Sequence, residues 1–569
     1  MHRAETADPA TAATAMAALT TASAHLDTFA KDRLPPPEAQ PDFLFDGPGL
    51  QFPPRLNCAV ELLLRRVAAD PADAAARRCL IGADGSVWTY AELLAQACRI
   101  ANVLVQDMGL LPGNRVLLRS VNQPTLVACW MAVMLAGGIA VGTMPMLRAH
   151  ELGQIIVKAQ ISHALCDCVL ADELAQARAT SPWLRELRHF GGAAPFGEAA
   201  LESLAAAQPA HFEPVDTAAQ DIALLAFTSG TTGAPKATMH SHRDVMAACA
   251  CFPPHVLQAS ADDLFIGSPP LAFTFGLGGL VLFPLSVGAA TVLLDKTSPP
   301  ELLAGVLRFG ATVLITAPTS YRALADVARA AGVSAAQGGT LRKCVSAGEA
   351  LPAATRAQWR EATGIELIDG IGATEMLHIF ISADEQQARA GATGRVVPGY
   401  QACVMDDQLK PLPPGPVGRL AVKGPTGCRY LDDPQRQAAY VQGGWNLTGD
   451  AYRIDEDGYF WFQARTDDLI VSAGYNIAGP EVEDALLRHP AVAECAVVGV
   501  PDAQRGQIVK AFVVLKPGQP ADQAAARGLQ DFVKGAIAPY KYPRAFEFRS
   551  SLPRTPTGKL QRFRLRDSR

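Results

Sequence analysis

The pattern of apolar and polar positions changes twice along the chain, and each stretch has its own texture. From about residue 115 to 375, short apolar runs rich in β-branched residues alternate with amphipathic segments. The run RVLLRS precedes a helical stretch at 124–137. ATVLLD (290–295) is followed by SPPELLAGVLRFG and then by ATVLITAP (311–318). Two similar strands one helix apart have the spacing of a parallel βαβ crossover. Strands this continuously apolar are buried on both faces, as in layered α/β folds. KCVSAGE and ELIDGIG continue the series, so the region is expected to form parallel sheets covered by helices.

After residue 390, glycine and proline become frequent around short strands, in VVPGYQ, PLPPGPVGRL and VKGP, which predicts a small β subdomain with turns. A third texture starts near Arg465. There a helical PEVEDALLRHPAV and a strand ECAVVGV lead into a tail rich in Arg and Lys, a compact α+β unit of about 100 residues. The expected fold is therefore α/β. A large N-terminal domain at 26–465 carries the helix-covered sheets and a small β-barrel-like subdomain, and a small mobile α+β domain follows at 466–569. Residues 1–25 are rich in Ala and Thr and lack a core pattern, so they are expected to be a disordered extension. The basic start and continuous apolar stretch of a secretory signal are missing there.

Composition narrows the partners. A chain of 569 residues is too long for one hydrophobic core. With 49% hydrophobic and 18% charged residues and a net charge of −5, it gives no electrostatic case for nucleic acid or an anionic membrane. No apolar run is long enough to span a bilayer. Of the twelve cysteines, only Cys166 with Cys168 and Cys249 with Cys251 are close, and neither pair has the two-residue gap of a zinc site. Buried thiols in a reducing cytoplasm are the expectation.

The strongest chemical signal is AFTSGTTGAPKAT at 226–238. An apolar strand runs into Thr228, Ser229, Gly230, Thr231, Thr232 and Gly233, and Lys236 closes the run. Glycines allow a tight turn with inward N–H groups, hydroxyls add donors and the lysine adds positive charge, which together make a nest for phosphate oxygens. The Walker spacing is absent. Taken alone, the composition suits a Ser/Thr/Gly-rich surface turn equally well. HSHRD, with His240, His242 and Asp244, is read as a helix entry rather than a metal site. No Gly-x-Ser-x-Gly elbow marks a serine hydrolase.

The loop does not stand alone. WTYAEL, the loop, SAGEALP, DGIGATE, WNLTGD, RTDDLIVSAGYNIAGPEVE and PRTPTGKLQR occur in this order, and by them the chain resembles the acyl-adenylate-forming enzymes over nearly its whole length. That family comprises acyl-CoA synthetases, luciferases and peptide-synthetase adenylation domains. The resemblance implies ATP, CoA and Mg²⁺ as cofactors. It assigns Thr374 to the α-phosphate and Glu375 to Mg²⁺, as a hydroxyl and a hard oxygen ligand suit. Without that context, Glu375 is equally a helix N-terminal acid. Asp450 and Arg465 would hold the ribose, and Gly348, Glu349, Asp369, Gly370 and Ile371 would border adenine. Many relatives carry a stacking aromatic residue where this chain has Ile371. Lys559 would reach carboxylate and phosphate oxygens together in adenylation; without the motif it would be an ordinary surface lysine. Asp467 would be the hinge that removes Lys559 and brings in residues 472–476, where Gly474 gives CoA room to pass.

GIGATEMLHIF and LAFTFGLGG look most like the benzoate- and 2-aminobenzoate-CoA ligases, and HLDTFAKDRLPP and RLNCAVELL look like the 2-aminobenzoate group. The resemblance then implies an aromatic carboxylate held by Phe273, Phe275, Tyr321 and His378, with Gly348 alongside, in a small flat pocket. His378 would touch the carboxylate or a ring substituent; for Phe275, core packing is the equal alternative. The expected protein is a cytoplasmic aryl-CoA ligase, monomeric or homodimeric. The alternatives are a short- or medium-chain fatty acyl-CoA ligase and a stand-alone enzyme that loads a carrier, no fused carrier being expected after Lys559. A non-catalytic AMP sensor would have no need for that lysine.

Overall fold

The computed structural model describes residues 21–193, 195, 199–228, 235–330, 339–465, 468, 470–472, 475–502, 504–554 and 560–566. The chain falls into two compact units. One is formed by Met1–Ile315, Ala373–Ile379 and Lys423–Gly444, the other by Thr316–Gly372, Phe380–Val422 and Trp445–Arg569.

The first unit contains β1 (Arg78–Gly82), β2 (Val87–Thr89), β3 (Arg115–Arg119), β4 (Ile139–Thr143), β5 (His163–Asp167), β6 (Glu186–Phe190), β7 (Ile222–Thr228), β8 (Lys236–Ser241), β9 (Leu264–Gly267), β10 (Ala290–Leu293) and β11 (Val313–Thr316). One sheet runs in the order β6-β5-β3-β4-β7-β8, parallel except for the last strand. β3, β4 and β5 are buried at every position, as their unbroken apolar character requires. The expected strand pair is present with a refinement. β10 and β11 both run parallel to β9 and flank it, so helix Pro299–Phe309 carries the chain across one intervening strand. Helix Pro124–Leu135 is apolar on every side and buried, the pattern of a helix between layers.

Local signals explain two of the sequence motifs. In WTYAEL, Thr89 and Glu92 form a capping box. The Thr89 hydroxyl accepts from Glu92 N at 3.2 Å, and the Glu92 carboxylate accepts from Thr89 N at 2.7 Å. HSHRD does the same, with Ser241 capping helix His242–Phe252 and Asp244 reaching back to Ser241 N at 2.8 Å. Ala237 lies inside β8 and packs in the core. Of residues 1–25, expected as a disordered extension, residues 21–25 are described and make defined contacts. Ser23 donates to Asp221 at 2.5 Å, Ala24 N donates to the same carboxylate, and His25 is buried.

In the second unit, strands Lys343–Ala347 and Leu367–Gly372 pair in parallel, with helix Ala353–Thr363 between them in sequence. The glycine- and proline-rich region contains strands Val417–Lys423, Trp445–Ile454 and Phe460–Arg465, paired antiparallel. Beyond these, strands Val492–Asp502 and Gly506–Leu515 form a long antiparallel pair, which Ala545–Phe548 joins in parallel. Helices Gly479–Leu487 and Gln523–Ala536 accompany them. Ile470, Val482, Leu486, Val497, Val513 and Leu529 belong to a core that this last region supplies by itself.

Candidate active site

Thr228 and Lys236 face each other as the last register pair of the antiparallel strands β7 and β8, which the glycine-rich segment connects in sequence. Ser229, Gly230, Thr231, Thr232 and Gly233 lie outside the described residues. At its second anchor, Lys236 Nζ stands 2.7 Å from Glu375 Oε1 and donates to the Tyr430 hydroxyl at 3.2 Å. Tyr430 in turn donates to the same Glu375 oxygen at 2.6 Å. Burial pushes the Glu375 carboxyl upward, but the Lys236 charge and the hydrogen bonds from Lys236 and Tyr430 outweigh it, and the group stays below its ordinary value. Burial and the neighbouring Glu375 charge raise the Tyr430 phenol, which therefore remains a donor. An ionised, buried carboxylate thus sits beside an ammonium at the start of β8.

The turn that presents Glu375 is held from three sides. Thr374–Met376 form one 3-10 turn, and Leu377 follows with φ of +68°, uncommon for a residue with a side chain. His240 Nε2 donates to the Thr374 carbonyl at 2.8 Å, and the Thr426 hydroxyl donates to the Met376 carbonyl at 2.7 Å. Leu377 itself is buried. The reversal puts Glu375 and His378 on separate sets of partners within four residues. His240 and His242 also diverge, since His242 Nδ1 accepts from Cys58 N at 3.1 Å. Among the described residues, no group of three or more His, Cys, Asp and Glu side chains could hold a metal ion.

His378 is enclosed by rings. Its imidazole centroid lies 4.4 Å from Phe283, 5.6 Å from Phe275 and 5.8 Å from Phe252. Gly278 makes this possible, because a Cβ there would stand 2.3 Å from His378 Cδ2. The glycines of LAFTFGLGG are therefore a packing requirement. Nε2 makes a long hydrogen bond of 3.4 Å to the Phe275 carbonyl. A carbonyl only accepts, so Nε2 carries the proton and Nδ1 presents its lone pair. Nδ1 is buried and has no partner among the described residues. Phe273 and Phe275 are half-buried.

Burial drives His240, His242 and His378 each down from 6.5 to about 3. In the unfolded chain these groups protonate near pH 6.5; in the fold they do so only near pH 3. Stability is therefore full above pH 6.5 and is lost on acidification, by about 1.4 kcal/mol per pH unit for each histidine. Urea midpoints between pH 7 and 5 should fall, and His378→Gln should flatten the slope by one proton. An unchanged slope in that variant would mean that His378 titrates alike in both states.

In the second unit, Asp450 and Arg465 are register partners on adjacent strands, joined by an ion pair of 2.9 Å. Asp450 is buried and Arg465 is half exposed, as a pair offering oxygens and N–H groups at a strand end. Asp369 and Gly370 are buried and Ile371 is half-buried at the end of their strand. Burial lifts the Asp369 carboxyl to about 7, with the Arg356 charge opposing. Its Oδ1 has no partner among the described residues. Gly348 has φ of +94° and open space where a Cβ would be, while Glu349 pairs with Arg554 at 3.5 Å. Tyr321 departs from the expected pocket role. Its ring packs edge-on against Trp359, its hydroxyl donates to the Val345 carbonyl at 3.0 Å, and it exposes no surface. Packing accounts for it. Asp467, Gly474 and Lys559 lie outside the described residues.

Sequence reasoning missed Tyr430, Phe252, Phe283 and the strained Leu377. None carries a local pattern, since each matters only through a contact with the Glu375–His378 segment.

The fold and this site define an AMP-binding enzyme. The family model for AMP-binding enzymes matches residues 64–429, and that for their C-terminal domain matches 481–559. The benzoate–CoA ligase of Thauera aromatica is 33% identical over 92% of this chain and 98% of its own length. The mitochondrial acyl-coenzyme A synthetase ACSM5 of Mus musculus is 35% identical over 84% of each chain. Among solved structures, the anthranilate CoA ligase AuaEII in complex with anthranoyl-AMP is similar with a TM-score of 0.86 and 33% identity, covering 91% of this chain and 98% of its own. The chain belongs to the AMP-binding enzyme family and is an AMP-forming acid–CoA ligase, with ATP and CoA as substrates. No described helix is long and apolar enough to cross a membrane.

Proposed function

We propose that the protein is an aryl-CoA ligase whose acid is a benzoate carrying a hydrogen-bond donor beside the carboxylate, 2-aminobenzoate being the type. The observation that carries this reading is the buried His378 Nδ1, a neutral acceptor without a partner inside a cage of phenylalanine rings. A lone pair repels a carboxylate and attracts an N–H, so His378 suits the amino substituent and not the acid group. A buried acceptor left unpaired costs free energy, and an amine that pairs it recovers that cost. The likeness to anthranilate and benzoate ligases supports the aromatic class. A medium-chain fatty acid is the second reading, favoured by the likeness to ACSM5 and by the half-buried Phe273 and Phe275, which would also line an alkyl chain.

The chemistry follows in two steps. A carboxylate oxygen attacks the α-phosphorus of ATP and pyrophosphate leaves, giving a mixed anhydride. The CoA thiolate then attacks the acyl carbon and AMP leaves. In this reading the loop at 228–236 holds the pyrophosphate end, Thr374 the α-phosphate, Asp450 and Arg465 the ribose, and Asp369 to Ile371 with Gly348 and Glu349 the adenine. Lys559 stabilises charge in the first step, and rotation about Asp467 brings Gly474 to the CoA path for the second. The donor set fits magnesium: one buried, ionised carboxylate, Glu375, suits an ion that keeps most of its ligands as water and phosphate oxygens. Bound there, it would neutralise phosphate charge. Twelve free thiols, most of them buried, support a cytoplasmic location.

An AMP-release screen tests the substrate. At saturating ATP and CoA, 2-aminobenzoate should exceed benzoate about tenfold in kcat/KM, the worth of one hydrogen bond. Phenylacetate and hexanoate should trail both, and His378→Phe should erase the preference while keeping benzoate activity. Hexanoate outrunning every aromatic acid would overturn the aryl reading.

A further inference from the structure

Glu375 Oε1 receives two donors of different kinds. Lys236 is a flexible cation on four methylenes, a quarter exposed. Tyr430 is a neutral donor fixed by its backbone. It bridges Thr238 across the strand that carries Lys236, and its N–H donates to Gln437 Oε1 at 2.9 Å. On either side, Met239 N donates to the Arg429 carbonyl at 2.8 Å and Leu431 N to the Ala237 carbonyl at 2.9 Å. Gln437 is itself buried and bonded to the Cys428 and Ala39 carbonyls. The Tyr430 ring stacks edge-on with Tyr440 at 5.9 Å and lies 5.4 Å from the Lys236 ammonium.

An ammonium and a divalent cation repel each other strongly at one buried carboxylate. Lys236 can therefore serve as the counter-ion of Glu375 only until metal–nucleotide arrives, when the triphosphate offers the ammonium a new partner. Once Lys236 has left, Tyr430 is the immobile donor that keeps the carboxylate in its orientation. We propose that Tyr430 is a positioning residue: its hydroxyl holds Glu375 in place while the carboxylate exchanges Lys236 for a divalent cation. The proposal rests on Glu375 being the metal-binding carboxylate of the adenylation site. It adds a role for Lys236 before nucleotide binds, as a built-in placeholder for the metal, and a role for a tyrosine that acts through Glu375.

Mn²⁺ titrated by electron paramagnetic resonance into nucleotide-free protein provides the test. The wild type should bind Mn²⁺ weakly, because Lys236 competes for the oxygen. Lys236→Met should bind about tenfold more tightly, and adding Tyr430→Phe should cancel that gain, as expected for an outer partner that orients a ligand. In catalysis, Tyr430→Phe keeps the ring and its packing. It should raise the Mg²⁺ concentration for half-maximal pyrophosphate exchange about tenfold, with KM for ATP at saturating Mg²⁺ nearly unchanged. A residue that served only packing would lower the thermal midpoint and leave the Mg²⁺ dependence alone. Lys236→Met binding Mn²⁺ no more tightly than wild type would overturn the counter-ion exchange; an unmoved Mg²⁺ dependence in Tyr430→Phe would overturn the positioning role. Tighter Mn²⁺ binding by Lys236→Met, cancelled by Tyr430→Phe, in an enzyme that prefers hexanoate to every aromatic acid would uphold this proposal and remove the aryl reading instead.

Discussion

Lys559→Ala is expected to lower acid-dependent pyrophosphate exchange by about 10²- to 10³-fold, the loss seen when one donor to transition-state charge is removed. The same variant, supplied with a synthetic acyl adenylate, should still form the acyl-CoA within about threefold of wild type, as the role proposed for Lys559 in the first step alone requires. As the carboxylate attacks phosphorus, negative charge spreads over oxygens of both partners, and an ammonium reaching both is stabilising there and nowhere else. The flanking residues Arg554 and Leu560 are bridged to each other, and Arg554 is paired to Glu349 and Glu494. Equal loss of both half-reactions would remove the assignment.

Glu375→Gln carries the second large effect. Glutamine preserves shape and still accepts from Tyr430, but it removes the charge that a cation needs and that Lys236 now balances. Adenylation should fall about 10²-fold or more, and the Mg²⁺ needed for half-maximal exchange should rise about tenfold or more. The thermal midpoint should change little, because Lys236, a quarter exposed, can turn its ammonium to solvent. Unaltered Mg²⁺ dependence would move the metal away from Glu375.

Much of this was legible because it is local. The glycine-rich run from Thr228 to Lys236, the helix entry at HSHRD and the apolar strands each follow from a few adjacent residues. Asp450 and Arg465 could be read from their motifs, and the structure makes them register partners. Other features depend on contacts between distant segments, which periodicity cannot report. Lys236 shows in the sequence only as positive charge for phosphate; its pairing with Glu375, 139 residues away, needs the fold. Tyr430 lies in a stretch, CRYLDDP, with no chemical pattern of its own. Tyr321 enters the expected pocket through the resemblance alone, and in the fold its hydroxyl is committed to Val345. The neutral state of His378 is likewise invisible in MLHIF, since it comes from three phenylalanines on other elements. Residues 21–25 gave no core pattern because their anchor, Asp221, is about two hundred positions away.

The central claim is that this enzyme joins its acid to AMP through the acid's own oxygen. It is tested most directly with ¹⁸O-labelled 2-aminobenzoate, ATP and CoA, followed by mass spectrometry of the nucleotide product. The account predicts AMP carrying one ¹⁸O from the carboxylate, formed together with pyrophosphate and the acyl-CoA. ADP as the product, with the label in inorganic phosphate, would contradict it.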